Sequence, residues 1–326
     1  MTPATRISVA LCTYAGEKYL AEQLNSIAEQ ERLPDEVVVS DDCSTDGTIA
    51  IVEEFARRAP FTVRLLRNET TLGSTRNFEH AIENCGGDVI VLADQDDVWL
   101  SQKLSRIEAA FRHTPRLGMV FSDAQVVDCA LRPLGYNLWK AVGLTPKRQR
   151  LFEQGRGLEV TLIHNKVTGA TMAFDARYRK LILPFDSGGF HDGWIALLIA
   201  AVAPVALIRE PLILYRQHER NQVGTKLRNL ADVTIAAVRG GARFYSDLAE
   251  IIAAAGQRLS AQNDFPFPQP AHDLLQAHAQ FLIWRAKLPQ NRFHRARYIL
   301  RGLSNRGYFR YANGLRSAVA DLVSQD

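Results

Sequence analysis

Four short apolar runs punctuate the first hundred residues, and segments of helical period separate them. Ile7-Ser-Val-Ala-Leu-Cys12, Glu36-Val-Val-Val-Ser40, Thr62 to Leu66 and Val89-Ile-Val-Leu92 are rich in aliphatic and β-branched residues and end in turn-forming ones. This is the pattern of buried strands. Between them, Tyr19 to Gln30 sets Leu20, Leu24 and Ile27 on one helical face. Thr48 to Arg58 follows Ser44 and Thr45, either of which can cap it, and Thr75 to Asn84 closes at Gly86-Gly87. Strands alternating with helices through short connections predict an α/β fold, a wound, mostly parallel sheet flanked by helices.

The pattern changes further on. After a helix over Leu100 to His113, Gly118 to Asp123 reads as a strand, Asp123 to Leu138 as loop, and basic Lys147 to Gly157 as a mobile segment. Thr168 to Phe174 reads as a strand in which Gly169 lets a backbone approach closely. Apolar runs around Glu210-Pro211 follow, and from Thr225 the spacing is helical, broken at Pro266, Pro268 and Pro270. At 326 residues the chain exceeds the usual single-domain size. The expectation is an α/β domain over 1–224 with a helical C-terminal appendage over 225–326.

Bulk composition adds little, since 47% hydrophobic and 23% charged residues describe an ordinary globular protein. Trp194 to Ile208, the longest apolar run, is interrupted by Pro204 and falls short of the ~20 residues of a membrane span. Ile7 to Cys12 is too short for a signal-peptide core. The expectation is a soluble, cytoplasmic protein. Cys12, Cys43, Cys85 and Cys129 form no C-x-x-C pair and read as small buried hydrophobes. Charge is asymmetric: residues 225–326 carry 14 Lys and Arg against 7 Asp and Glu, net +7, which leaves −3 for residues 1–224 of the overall +4. A basic tail on an acidic front points to an anionic partner for the tail.

Chemistry concentrates where the strands end. Val89 to Leu92 runs into Asp94, Gln95, Asp96 and Asp97. Acids crowded at the end of an apolar strand repel one another unless a cation neutralises them, and Mg²⁺ or Mn²⁺ suits such oxygen ligands. The plainer reading is an acidic turn before the next helix. Thr13 with Glu17, and Asp41 with Asp42, end two further strands. In parallel sheets ligands bind outside these carboxyl ends, so the convergence argues for a site. Asp192, after Gly188-Gly-Phe-His191, is either a helix N-cap or a general base. Trp194 is either core or a platform for a sugar face. His218, in Tyr215-Arg-Gln-His-Glu-Arg-Asn221, is either structural or a ligand to metal or phosphate, with Arg216 beside it to neutralise a leaving group.

I-S-V-A-L-C-T-Y, V-V-S-D-D-C-S-T-D-G-T, the N-x-x-x-x-G-x-x-R-N loop of Asn68, Gly73, Arg76 and Asn77, and D-Q-D-D occur in that order. Together they resemble family 2 of the glycosyltransferases, with the GT-A fold, nearest the rhamnosyltransferase-like branch of bacterial cell-surface polysaccharide synthesis. The resemblance covers residues 6 to about 224. It implies an inverting hexosyl transfer from a nucleotide-diphosphate sugar to a glycan or lipid-linked acceptor. Thr13, Tyr14 and Glu17 would line the base and ribose, and Asp42 would accept from a pyrimidine N3–H. Arg76, Asn77 and Gln95 would join the donor pocket, with Asp94 near the ribose. Asp96 and Asp97, with His218, would hold Mn²⁺ or Mg²⁺ on the diphosphate. Gly169, His191, Trp194 and Arg216 would lie by sugar or acceptor, and Asp192 would be the base.

Other readings are weaker. A nucleotidyltransferase would want a Gly-rich phosphate loop after the first strand, and Thr13 to Glu17 supplies none. A dehydrogenase lacks its G-x-G-x-x-G, and a non-catalytic sugar-nucleotide or glycan-binding protein stays open. No Q-x-x-R-W motif marks a processive synthase. In the tail, Arg285, Lys287, Arg292, Arg295, Arg297 and Arg301 interleave with Trp284, Phe293 and Tyr298. They read as a solvated face or, more sharply, as peripheral docking to the inner face of an anionic membrane. Nucleic acid is not expected, since no recognised module is present.

Overall fold

The computed structural model describes residues 5–163, 165–185, 191–219, 221 and 230–324, the backbone alone over 230–240. The glycine pair at 188–189 lies outside the described residues. The N-terminal half alternates as expected: β1 (Ile7–Thr13), α1 (Leu20–Ala28), β2 (Glu36–Asp41), α2 (Thr48–Arg58), β3 (Thr62–Arg67), α3 (Ser74–Asn84), β4 (Val89–Asp94), β5 (Val98–Trp99) and α4 (Lys103–His113). The second half holds β6 (Met119–Val127), β7 (Pro133–Asn137), α5 (Leu138–Val142), α6 (Pro146–Glu153), α7 (Gly157–Ile163), β8 (Met172–Asp175), α8 (Arg179–Ile182), α9 (His191–Val202) and β9 (Val205–Arg216). Helices α10 (Leu230–Ala261), α11 (Gln269–Ala286), α12 (Arg292–Ser304), α13 (Gly307–Tyr311) and α14 (Leu315–Val323) complete the chain.

One sheet runs β3-β2-β1-β4-β8-β6-β9-β5, with β7 paired to β6. Strands β1 to β4 are mutually parallel, and β8 lies antiparallel between β4 and β6. The expected wound sheet with flanking helices is present, but as a mixed sheet: β4–β8, β6–β8, β6–β7 and β5–β9 pair antiparallel. Side-chain alternation splits the core. Val89, Val91 and Ala93 face α1, α2 and α4, whereas Ile90 and Leu92 face the cluster containing α3, α7 and α9. Buried residues of α10 and α11, among them Tyr245, Ile252, Leu259 and Leu275, pack into that second cluster. A third cluster around Ile299 and Tyr308 holds α12 and α13 together with α14.

Three expectations are corrected. Residues 123–138 form the end of β6, strand β7 and the start of α5 rather than a loop, and basic 147–157 belongs mostly to α6. The runs around Pro211 are one strand, β9, whose register against β6 shifts beside Pro211, a residue with no N–H for the ladder. Cys129 is exposed, unlike buried Cys12 and Cys85.

Candidate active site

The register of the parallel strands brings their ends to one rim. Cys12 lies beside Asp94 and Thr13 beside Asp41. Thr13 Oγ1 donates to Asp41 Oδ2 at 2.7 Å, and the Asp42 N–H donates to the Thr13 carbonyl at 2.9 Å. Buried Asn77, on α3, donates from Nδ2 to the carbonyls of Ser40 (2.9 Å) and Thr13 (3.3 Å), bracing two strand ends from below. Asp42 accepts from the N–H groups of Leu72 (2.7 Å) and Gly73 (2.9 Å) and from Asn68 Nδ2 (3.0 Å), so it shapes the 68–73 loop. Gly73 has φ +81°, a backbone that favours glycine. Arg76 grips Glu79 with two bonds of 2.8 and 2.7 Å and borders a groove of about 690 Å³ with Asn68 and His80.

Gln95 clips the first loop onto the acidic turn. Its Oε1 accepts from the Tyr14 N–H (2.8 Å) and its Nε2 donates to the Tyr14 carbonyl (2.9 Å). The Tyr14 ring stays exposed. A Cβ on Gly16 would meet Gln95 Oε1 at 2.2 Å, so this close approach needs glycine. Glu17 closes the far side by accepting from the Gly47 N–H at 2.8 Å.

The three acids at and after the end of β4 differ in surroundings. Asp96 faces His218, Nε2 to Oδ2 2.8 Å, and Asn221 Nδ2 also reaches Oδ2 at 3.3 Å. The His218 ring stacks on Tyr19 with centroids 4.9 Å apart. Asp97 is turned inward: Oδ1 accepts from the Arg216 N–H at 3.0 Å, and buried Oδ2 has no partner among the described residues. Burial, then the charges of Asp96 and Asp192, push Asp94 up to about 7. Burial, then Asp96 and Asp94, raise Asp97 well above the carboxylate range. Beneath them Lys103 is wholly buried, 4.0 Å over the Trp99 ring, and donates from Nζ to the Ala170 carbonyl at 2.7 Å. Burial draws its ammonium down to about 7 against the pull of Asp97 and Asp94.

Asp192 enters from the first turn of α9. Its Oδ1 accepts from Asn165 Nδ2 (3.0 Å) and the Gly193 N–H (2.6 Å), and Oδ2 from the Gly169 N–H (3.3 Å). Burial raises its pKa to about 6, opposed by the two glycine N–H groups. Residues 169–171 link Asp192 to the acidic turn: the Gly169 N–H donates to Asp192, and the Ala170 carbonyl receives Lys103, the buried cation that Asp97 and Asp94 influence. His191 packs beneath, stacked on Phe78 with centroids 4.1 Å apart, and burial lowers it to about 3, leaving it neutral.

Residues 8–157 match the model of glycosyl transferase family 2. The chain is 28% identical over 230 residues to the dTDP-rhamnosyl transferase RfbG of Shigella flexneri, covering 67% of this chain and 74% of that one. A 109-residue stretch is 38% identical to the poly(ribitol-phosphate) β-N-acetylglucosaminyltransferase TarS of Staphylococcus aureus, covering 32% of this chain and 18% of TarS. The chain carries a family 2 glycosyltransferase domain. Its fold matches that of S. aureus TarS 1–349 in complex with UDP-GlcNAc, with TM-score 0.53 and 19% identity over 97% of this chain and 90% of that one. The mannosyltransferase PcManGT of Pyrobaculum calidifontis, in complex with GDP-Man and Mn²⁺, gives TM-score 0.51 and 19% identity over 99% and 87%. The architecture is the expected GT-A fold with a helical C-terminal region.

His191, Trp194 and Arg216, all expected by the sugar or acceptor, lie in the interior. Trp194 is buried, Nε1 donating to the Ile182 carbonyl at 2.9 Å, because its position on α9 faces the core. Arg216 is 1% exposed. Its guanidinium donates to the carbonyls of Asp96 (2.7 Å) and Cys129 (2.8 Å), pairs with Glu22 and lies 4.4 Å over Tyr19. It therefore fixes the acidic turn rather than facing the cleft. Sequence reasoning did not single out Tyr19, Lys103, Asn165 or Asn221. Only Lys103 left a trace, as a cation sharing the helical face of Leu104 and Ile107.

Proposed function

We propose that this glycosyltransferase moves a sugar from a nucleoside-diphosphate donor to a hydroxyl of a glycan or lipid-linked acceptor, inverting the anomeric centre, with residues 1–224 as the transferase unit. The observation that carries the reading is the 169–171 turn, whose Gly169 N–H holds Asp192 and whose Ala170 carbonyl holds Lys103, the cation under the acids that end β4: one turn supports both a base and a diphosphate grip. The RfbG similarity makes dTDP-rhamnose the first donor to test.

The residues fit a hard divalent cation. The mostly buried Asp96 carboxylate and the His218 imidazole already meet, and buried Asp97 Oδ2 is unsatisfied. Among the described residues no group of three or more His, Cys, Asp or Glu side chains forms a ready cage. Asp96 and His218, with Asp97 behind them, would hold the ion, and donor phosphates and water would complete its shell. When bound, Mn²⁺ or Mg²⁺ neutralises charge on the departing diphosphate.

The chain's own groups do the rest. Asp192 Oδ2 accepts the acceptor hydroxyl proton as that oxygen bonds to the anomeric carbon and the bond to the diphosphate breaks. A carboxyl near 6 is ionised at neutral pH yet basic enough to take the proton. Asn165 and the Gly169 and Gly193 N–H groups aim it. Gln95, Asp42 and Asn77 hold the loops that would contain the nucleotide, flanked by Thr13, Tyr14, Glu17 and Arg76.

Mass spectrometry of products from a panel of nucleotide sugars with Mn²⁺ tests this. Glycosylated acceptor and free nucleoside diphosphate are expected. Pyrophosphate release would indicate a nucleotidyltransferase, and a bound donor that never turns over, even with water, a binding protein.

A further inference from the structure

The C-terminal helices carry a surface that the transfer reaction does not use. On α12, Arg295, Ile299 and Gly302 are buried, and the opposite stripe presents Phe293, Arg297 and Leu300. Phe293 is 85% exposed and Leu300 64%. On α14 the outward positions Leu315, Val319 and Leu322 follow i, i+4, i+7 spacing and are all apolar, where a solvated helix would be polar. Phe309, 56% exposed, joins them, since a Cβ on Gly314 would meet its ring at 3.0 Å.

Exposed charge along residues 292–323 has one sign. Arg292, Arg297, Arg301, Arg306, Arg310 and Arg316 are all exposed. The sole acid over 292–323 is Asp321, 3% exposed and held by Arg285 at 2.7 Å and the hydroxyls of Tyr245 (2.8 Å) and Tyr308 (2.7 Å). No carboxylate in this span is left to neutralise the arginines. Large apolar side chains within a field of cations match a lipid headgroup layer, where arginines meet phosphates and rings enter the acyl boundary. A second copy fits less well, because a two-fold interface would set arginines against arginines. Nucleic acid would engage the arginines and leave Leu315, Val319 and Leu322 in water. Among the described residues no helix is long and apolar enough to cross a membrane, so the contact is one of surface.

We propose that the outer face of α12, α13 and α14 docks this protein on a bilayer of anionic phospholipid. The surface is separate from the proposed site, so the inference stands or falls independently of the transfer reaction. Sedimentation of the full chain with phosphatidylcholine vesicles containing about 30% phosphatidylglycerol is the test. Binding is expected to drop at least tenfold on pure phosphatidylcholine and to weaken steeply with added salt. The double change Arg297→Gln, Arg301→Gln should cost about thirtyfold, from roughly fivefold per arginine, and Phe293→Ser with Leu300→Ser at least tenfold. Unchanged thermal melting checks the fold of each variant, and the wild-type salt series decides the matter without them. Equal binding to both vesicle types, no binding to anionic vesicles, or a dimer that Val319→Ser converts to monomer would overturn it. So would binding to duplex nucleic acid in preference to anionic vesicles.

Discussion

Asp96 and His218 lie 122 residues apart and meet at 2.8 Å, the imidazole Nε2 against carboxylate Oδ2. One comes from the turn after β4 and the other follows β9, so closing the sheet through β6 and β9 is what creates the pair. Tyr19 backs the imidazole and Arg216 ties down the acidic turn, the kind of outer support that metal ligands depend on. Calorimetric titration of UDP and dTDP with and without Mn²⁺ should give tight binding only with metal. Asp96→Ala and His218→Ala should abolish the metal-dependent part. Tyr19→Leu, which removes only the support, should weaken it on the order of 10–100-fold. Equal affinity with and without metal would remove Asp96 and His218 as a cation site.

The pH profile of transfer tests the base. As the proposed base Asp192 would work ionised, and burial holds its pKa near 6. The fraction of active enzyme therefore falls as pH drops through about 6, and kcat/KM should decline roughly tenfold per unit below that. Asp192→Asn should cost about 10²–10⁴ in kcat and leave donor affinity intact. Asn165→Ala removes a donor that favours the charged carboxylate, so its acid limb should move to higher pH. An Asn165→Ala profile identical to wild type would separate Asn165 from the proton transfer.

Arg216→Met probes scaffold against cleft. The side chain fits the volume but leaves the Asp96 and Cys129 carbonyls without their donors and Glu22 without its cation. Glu22 is half-exposed and its lost pairing costs little, but carbonyls left without a buried donor cost about 1–3 kcal/mol each. A clear drop in melting temperature is expected without ligand. If Arg216 instead faced the diphosphate, stability would hold and only donor affinity would fall.

Much of this site was legible because strands buried on both faces advertise themselves. Val89 to Leu92 and Glu36 to Ser40 are continuous aliphatic runs, so the acids that follow had to lie at strand ends, and parallel topology put them on one edge. Strand β7 was missed because Pro133, Leu134 and Gly135 are exposed on an edge and show no alternation. Helix α6 was missed because it buries only Phe152, too little for an apolar stripe. The roles of Arg216 and Trp194 depend on partners 119 and 12 residues away, Asp97 and Ile182, and no local pattern carries that information. The Asp192 shift, too, is a property of the closed fold, since burial is its leading cause.

Gly169 joins the two halves of the site, and its lack of a side chain is what allows the junction. A Cβ there would lie 2.8 Å from His191 Nε2, too close for any real contact. His191 cannot retreat easily, because its buried ring is stacked on Phe78 and flanked by Phe185. Gly169→Ala must therefore shift the 169–171 turn. That turn supplies the N–H bonded to Asp192 and the Ala170 carbonyl that receives Lys103. The change should cost about 1–3 kcal/mol through overpacking and lower kcat, moving the acid limb of the pH profile upward. Adding His191→Ala opens the space, so the double variant should recover part of both losses, a coupling measurable in a double-mutant cycle. Additive losses would mean that the alanine methyl acts elsewhere and that Gly169 does not position the base.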